Sequence, residues 1–290
     1  MKSYSETAKV LTEALPYIQK FHGKIMVIKY GGSAMLEERL RRHFTNDVVL
    51  MKYVGLHPVV VHGGGPQIGE TLRRLGKESR FVNGMRVTDA ETMEVVEMVL
   101  AGKINKDLVH GIIRQGGRAV GLCGKDGGLI QARKMILPPP DDGVDLGFVG
   151  EVERINPEIL RSLDAGTYIP VVAPIGVGSR GETYNINADL VAGALAVALR
   201  ADKLILLTDV PGIVDTSGDL ISAVPLREID TMFSRGIVQG GMIPKVQCCS
   251  RTVREGVRKA HIIDGRVEHS LLLEVFTDHG VGTQIYREED

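Results

Sequence analysis

Tryptophan is absent from this 290-residue sequence, and aromatic residues make up only 4% of it. A core poor in large rings must be filled by aliphatic side chains. With 43% hydrophobic residues and 35 glycines, the composition suits buried parallel strands flanked by tight turns. Cysteine is scarce too. Cys123, Cys248 and Cys249 form no CxxC pair and no metal-ligand spacing, which excludes a disulfide scaffold and points to reduced thiols. Neither sign of charge dominates, since the formal net charge is −1. No broad field draws the chain to nucleic acid or an anionic membrane, and any phosphate site must be local. No run reaches the ~20 apolar residues of a membrane span. The first ten residues, MKSYSETAKV, lack the basic-then-apolar pattern of a signal peptide. A soluble, cytoplasmic protein is expected. The phosphate-binding GxxxxGK loop followed by Ser or Thr is missing, as is GxGxxG after the first strand with an acid about 20 residues on.

What is present is an alternation of strands and helices. Residues 5–21 carry apolar side chains at helical spacing behind a Ser3-Tyr4-Ser5-Glu6 capping box, with Pro16 expected to kink or split the helix. KIMVIKY (24–30) reads as a strand, 36–53 as a helix, and PVVVHGGG (58–65) as a second strand running into glycines before Pro66 opens a helix. Successive strand–glycine–helix units predict βαβ crossovers and a parallel sheet. Phe81–Val87 reads as a hairpin about Asn83-Gly84. Thr88 to Glu91 reads as a capping box for a helix reaching about Leu100. RAVGLCG (118–124), IPVVAP (169–174), KLILLTD (203–209), HIID (261–264) and GTQIY (282–286) are further strands, and Pro138–Gly143 is a loop tip. The chain divides into an N-terminal helix (1–22), an N-terminal lobe (23–178) and a C-terminal lobe (179–290), the lobes sharing one continuous sheet. No repeat of 20–50 residues is visible.

Five features carry chemistry. Lys29-Tyr30-Gly31-Gly32-Ser33 ends the first strand, where open α/β sheets bind ligands. It fits an anion cradle with a mobile cation, or a tight turn with a solvated lysine. His62-Gly63-Gly64-Gly65-Pro66 follows the second strand in the same way. Three glycines there ask for a reason: a shared anion cradle, or crowding. Neither reading gives His62 a role. Gly240 to Lys245 marks a helix N-terminus with a lysine in the first turn. A cation there opposes the helix dipole unless an anionic ligand joins it. Asn185-Ile186-Asn187-Ala188-Asp189 holds a substrate ligand and an organising acid, or a helix cap and a dipole partner. Arg86 offers a planar fork for a carboxylate, or is an exposed strand-end arginine.

In order along the chain these features read KYGGSAM, VVVHGGGPQI, NGMRVTD, YNINAD, LILLTDVPGI and GGMIPKV. The ordered series resembles the amino-acid kinase family over roughly residues 24–286. The resemblance implies an α/β fold, an open αβα sandwich with a mostly parallel sheet of about eight strands. It implies ATP-dependent phosphorylation of the side-chain carboxylate of N-acetyl-L-glutamate in arginine biosynthesis. The neighbouring alternative is a sibling kinase acting on N-acetylaminoadipate, aspartate, glutamate or carbamate. A chain of this length leaves no room for the extra domains of aspartate and glutamate kinases. A silent arginine sensor and a dinucleotide-dependent oxidoreductase are disfavoured by the intact lysines and the missing fingerprint.

The resemblance further assigns catalysis to Lys29, Lys245 and Asp189, and phosphate binding to Gly31, Gly32 and Gly64. The acyl amino acid falls to Gly64, Gly65, Arg86 and Asn185, and the nucleotide to Thr208, Asp209, Gly241 and Met242. Mg²⁺ is expected on the ATP phosphates, with no dedicated metal site. Tyr30 stands where many relatives carry an apolar residue, a harmless change. The N-terminal helix resembles one that links dimers into hexameric, arginine-inhibited rings. Tyr17, Lys203, His261, Glu274 and Gly280 fall at the arginine site of such relatives. The expected assembly is a hexamer built as a trimer of dimers, or else a dimer. A PII-type regulator is compatible with the sequence but not written in it.

Overall fold

A computed structural model of the protein describes residues 4–278 and 280–288. Ser3, the first residue of the N-terminal capping box, lies outside the described residues. The first half of the chain forms α1 (Tyr4–Phe21), β1 (Ile25–Tyr30), α2 (Glu38–Tyr53), β2 (His57–His62), α3 (Gly65–Arg74), the short strands β3 (Phe81–Val82) and β4 (Met85–Arg86), α4 (Ala90–Glu97), α5 (Asn105–Arg114) and β5 (Ala119–Leu122). There follow β6 (Ile130–Lys134), β7 (Val149–Ile155), α6 (Glu158–Ala165), β8 (Ile169–Val172), β9 (Ile175–Val177) and β10 (Thr183–Ile186). The remainder is α7 (Ala188–Ala198), β11 (Lys203–Thr208), β12 (Ala223–Pro225), α8 (Ile229–Ser234), α9 (Met242–Arg254), β13 (Lys259–Asp264), α10 (Ser270–Phe276) and β14 (Thr283–Tyr286).

The central sheet has eight strands in the order β12-β14-β13-β11-β1-β2-β8-β5. Every neighbouring pair is parallel except β13 with β14. β1 pairs with β2 on one side and β11 on the other, so a single sheet joins the two halves. Helices cover both faces, which is why β1 and β11 read as unbroken apolar runs.

Period two sorts the side chains of β1. Met26, Ile28 and Tyr30 join Phe44, Val48 and Met51 of α2 in one core layer. Val27 joins Val191 and Leu195 of α7 in the other. In β2, Val60 belongs to the first layer, while Val59 and Val61 belong to the second. Burying a side chain of this size stabilises the fold by about 1.5–3 kcal/mol.

Four details differ from the sequence reading. Helix α1 runs unbroken through Pro16. Asp89, not Thr88, caps α4, accepting from the Thr92 amide at 2.8 Å. Thr88 is buried and donates to the Arg86 carbonyl, and Glu91 pairs with Lys77. The helix expected to end near Leu100 continues through π-helical turns, Met98–Ile104, into α5. Finally, β6, β7, β9 and β10 close into a small barrel that the sequence reading did not contain.

Candidate active site

Lys29 lies on the same side of β1 as Val27 and so points toward α7, whose first turn holds Asp189. Asn187 caps that helix, its side-chain oxygen accepting from the Asp189 amide at 2.8 Å. Lys29 Nζ lies 3.1 Å from Asp189 Oδ1, and Lys245 Nζ, from the first turn of α9, lies 2.9 Å from Oδ2. Lys29 and Asp189 are both buried. Burial pushes the Asp189 carboxyl upward, but the two ammonium groups outweigh it and hold the pKa below the usual carboxylate range. One carboxylate between two ammoniums leaves a surplus positive charge at the N-termini of α7 and α9. Removing such charges from water is costly unless an anion completes the set.

The glycine turn after β1 makes room for this cluster. The Lys29 side chain folds back over Gly31, where an added Cβ would lie 2.6 Å from Nζ. Gly32 takes a left-handed φ of 78° and packs against the Asp209 carboxylate. Tyr30 is more than tolerated. Its ring stacks on Phe44 at 3.8 Å between centroids and its hydroxyl donates to the Ala34 carbonyl at 2.7 Å, closing the turn from below. The Cys248 thiol, one turn along α9 from Lys245, donates to the Asp189 carbonyl at 3.0 Å and ties α9 to α7.

The turn after β2 borders a cavity of about 190 Å³ lined by Gly63, Gly64, Gly65, Phe81, Arg86, Asn185 and Ala188, among others. Arg86 is buried rather than exposed. Its guanidinium donates to the Gly65 carbonyl at 2.9 Å and to Ser79 Oγ, and it packs on the Phe81 ring. The Asn185 amide donates to Thr88 Oγ1 at 3.3 Å. Gly64 is pressed against Leu100 and Ile104 so closely that a Cβ would sit 2.5 Å from both side chains. Crowding is therefore part of the reason for glycine here.

A second cavity, of about 610 Å³, is lined by Thr208, Val210, Pro211, Gly241, Met242 and Lys245 among others. Asp209 lies outside this lining, against Gly32. Ala188, next to Asp189 in sequence, lines the smaller cavity and Lys245 lines the larger, so the Lys29–Asp189–Lys245 cluster links the two linings. Among the described residues no group of three or more His, Cys, Asp or Glu side chains is placed to hold a metal ion.

Away from this crevice, Lys203, His261, Glu274 and Gly280 also come together, and Tyr17 reaches Asp278, two residues from Gly280. His261 Nδ1 lies 2.5 Å from Glu274 Oε1, and Glu274 Oε2 accepts from the Val281 amide at 2.7 Å. Burial lowers the pKa of His261 to about 4 and that of Lys203 to about 8. His261 Nε2 is buried with no hydrogen-bond partner. Lys203 lies over the Phe21 ring, Gly280 abuts the Glu274 carboxylate, and Tyr17 bonds to Asp278.

The sequence reading missed Phe81, Met135 and Val149 in the smaller cavity, and Asp278 beside Tyr17. Phe81 stands next to the hairpin turn and could have been suspected as a wall. Met135 and Val149 reach the site through the unforeseen barrel.

The model of the amino acid kinase family matches residues 24–264, and the chain belongs to that family. Within it, the chain is 58% identical to the acetylglutamate kinase of Geotalea uraniireducens, covering 98% of this chain and 99% of that protein. It is 59% identical to the acetylglutamate kinase of Moorella thermoacetica, with 97% of each covered. Among solved structures, an N-acetylglutamate synthase from Neisseria gonorrhoeae superposes with a TM-score of 0.86 at 24% identity. That match covers all of this chain but only 65% of the synthase. A carbamate kinase from Giardia lamblia gives 0.66 at 17%, covering 92% and 99% of the two chains. These two likenesses speak to the fold alone. No helix among the described residues is long and apolar enough to cross a membrane.

Proposed function

We propose that this chain transfers the γ-phosphoryl group of ATP to the side-chain carboxylate of N-acetyl-L-glutamate, forming an acyl phosphate and ADP. The observation that carries this reading is the buried, net-positive Lys29–Asp189–Lys245 cluster between two cavities of unequal size. A carboxylate oxygen attacks the γ-phosphorus as the bond to the β,γ-bridging oxygen breaks. The nucleophile is already ionised, so the site needs no general base, and Asp189, held between two lysines, is not one. The difficulty is bringing one anion onto another, and the charge on the transferring group is met by positioned cations and amides. Lys29 and Lys245 supply the cations, Asp189 orients them, and Gly31, Gly32 and Gly64 supply N–H donors. Arg86 and Asn185 grip the α-carboxylate of the acyl amino acid beside Gly64 and Gly65. Thr208, Asp209, Gly241 and Met242 border the nucleotide, whose Mg²⁺ arrives as its counter-ion. The acyl amino acid then belongs to residues 23–178 and ATP to residues 179–290, with Asn185 reaching across.

An assay of ADP release over a panel of acceptors tests this. N-acetyl-L-glutamate should give the highest kcat/KM. N-acetylaminoadipate, longer by one methylene, should trail by about 10–200-fold, and free glutamate, aspartate and carbamate should be poorer still. A higher kcat/KM for any of these would overturn the substrate assignment.

The second cluster supports feedback by L-arginine in a cytoplasmic enzyme assembled as a hexamer, a trimer of dimers. Glu274 and the unpartnered His261 Nε2 suit a guanidinium or ammonium, Lys203 suits a carboxylate, and the N-terminal segment 1–22, through its helix α1, supplies Tyr17 as one wall. Deleting residues 1–20 should leave dimers that turn over normally and ignore arginine. A truncated protein that stays hexameric and inhibited would reject this role.

A further inference from the structure

His62 ends β2 directly beneath the three-glycine turn, yet the reaction just described gives it no task. Its parity in the strand places it with Val60, on the sheet face away from Lys29 and Asp189. It is fully buried, so it cannot meet the phosphates itself. Its ring is nevertheless held at both nitrogens. Nδ1 lies 2.9 Å from the Gly63 carbonyl oxygen, and Nε2 lies 3.3 Å from the side-chain nitrogen of Asn105.

The partners fix the orientation of the Asn105 amide and the tautomer of His62. The Lys106 ammonium, which only donates, lies 3.0 Å from Asn105 Oδ1. The Val171 carbonyl, which only accepts, lies 2.9 Å from Asn105 Nδ2. The other Asn105 N–H is shared between His62 Nε2 at 3.3 Å and the Leu122 carbonyl at 3.4 Å, and because Nδ1 faces a carbonyl that can only accept, Nε2 is the bare nitrogen of the neutral ring. Nδ1 then carries the proton and donates it to Gly63. Burial, with Lys106 nearby, lowers the His62 pKa to about 4, so the ring stays neutral. The close fit of Asn105 against Gly121 leaves no space for a side chain there. Asn105 reaches this position at the end of the π-helical turns, a distortion often found at functional sites.

The consequence falls on one peptide group. The Gly63 amide already donates to the Tyr30 carbonyl at 2.8 Å, and His62 now anchors the Gly63 carbonyl on the protein side. In a trans peptide the following N–H points the opposite way. The N–H of Gly64 thus points away from the His62 ring, and Gly64 itself lines the cavity with Gly63 and Gly65.

We propose that His62 is a positioning residue. Through the Lys106–Asn105–His62 chain it locks the Gly63–Gly64 peptide so that the Gly64 amide donates to the transferring phosphoryl group. This rests on the phosphoryl-transfer reading above.

The test compares His62→Asn with His62→Gln. An asparagine nitrogen can replace Nδ1, whereas a glutamine nitrogen replaces Nε2. His62→Asn should keep kcat within about fivefold of the parent, and His62→Gln should lose about 30-fold or more, with KM for ATP little changed in either. Equal kcat for the two variants, or losses that track melting temperature alone, would overturn the proposal. Nitrogen-15 spectra of the His62 ring in the unaltered protein give a substrate-free check. A proton on Nδ1 supports the relay, and a proton on Nε2 ends it. If the unaltered protein fails to phosphorylate N-acetyl-L-glutamate, the substrate reading falls, while the ring spectrum still decides the relay.

Discussion

Replacing Lys29 with methionine should lower kcat by at least about 10²–10³-fold, because one cation aimed at the developing charge is lost while the aliphatic stem is kept. The KM for either substrate should move much less, since the lysine is asked to act chiefly in the transition state. Methionine retains the stem that packs over Gly31, so the turn after β1 should stand. The Asp189 carboxylate would keep Lys245 at 2.9 Å and rise toward the ordinary carboxylate range as one of its two compensating charges disappears. Steady-state kinetics with a melting curve checks both parts. A near-normal kcat in a folded Lys29→Met protein would remove Lys29 from the reaction.

Asp189→Asn is expected to damage stability as well as rate. It leaves two ammonium groups around a neutral amide in a site where the acid is almost wholly buried. Breaking a buried ion pair by removing one partner costs about 3–5 kcal/mol. The lower end, about 3 kcal/mol, is expected here because Lys245 is partly exposed and can swing toward water. The sign of the pH dependence follows from the depressed Asp189 pKa. Its contribution is complete above the unfolded carboxylate pKa of about 4 and fades as pH falls through the lower folded value. The stability gap between variant and parent, measured by urea unfolding, should therefore be widest near neutrality and narrow below about pH 4. A gap that widened on acidification would contradict the assignment of Asp189 as the ionised partner of both lysines. The rate should fall about 10²-fold because the ammonium groups lose their fixed positions.

The parallel core was legible because its signals are local. KIMVIKY and PVVVHGGG are short apolar runs that read directly as buried strands, and glycine and Pro66 marked the strand-to-helix turns. The Asn83-Gly84 hairpin was equally plain, both residues having positive φ. What was not legible depends on partners distant in sequence. IQARK and VGEVERI of β6 and β7 mix charged and apolar residues without strict alternation, since they close a small barrel rather than cover a broad core. Asn105 sits in NKDLVHG, a segment the sequence reading left unassigned, and its burial after the π-helical turns depends on partners in β2, β5 and β8. Asp89 took the cap from Thr88 because Thr88 is buried with its hydroxyl committed to Arg86. The meeting of Lys29, Asp189 and Lys245 follows from β1 lying at the centre of the sheet, beside β11 and beneath α7. Strand order of that kind is written in no single segment.

The most direct measurement is a crystal structure with ADP, Mg²⁺, aluminium fluoride and N-acetyl-L-glutamate, in which the fluoride stands for the migrating phosphoryl group. The account predicts the Lys29 and Lys245 nitrogens each within about 3 Å of a fluorine atom, reaching it from opposite lobes. Either nitrogen turned to bulk solvent, or held by Asp189 beyond hydrogen-bond reach of the fluoride, would contradict it.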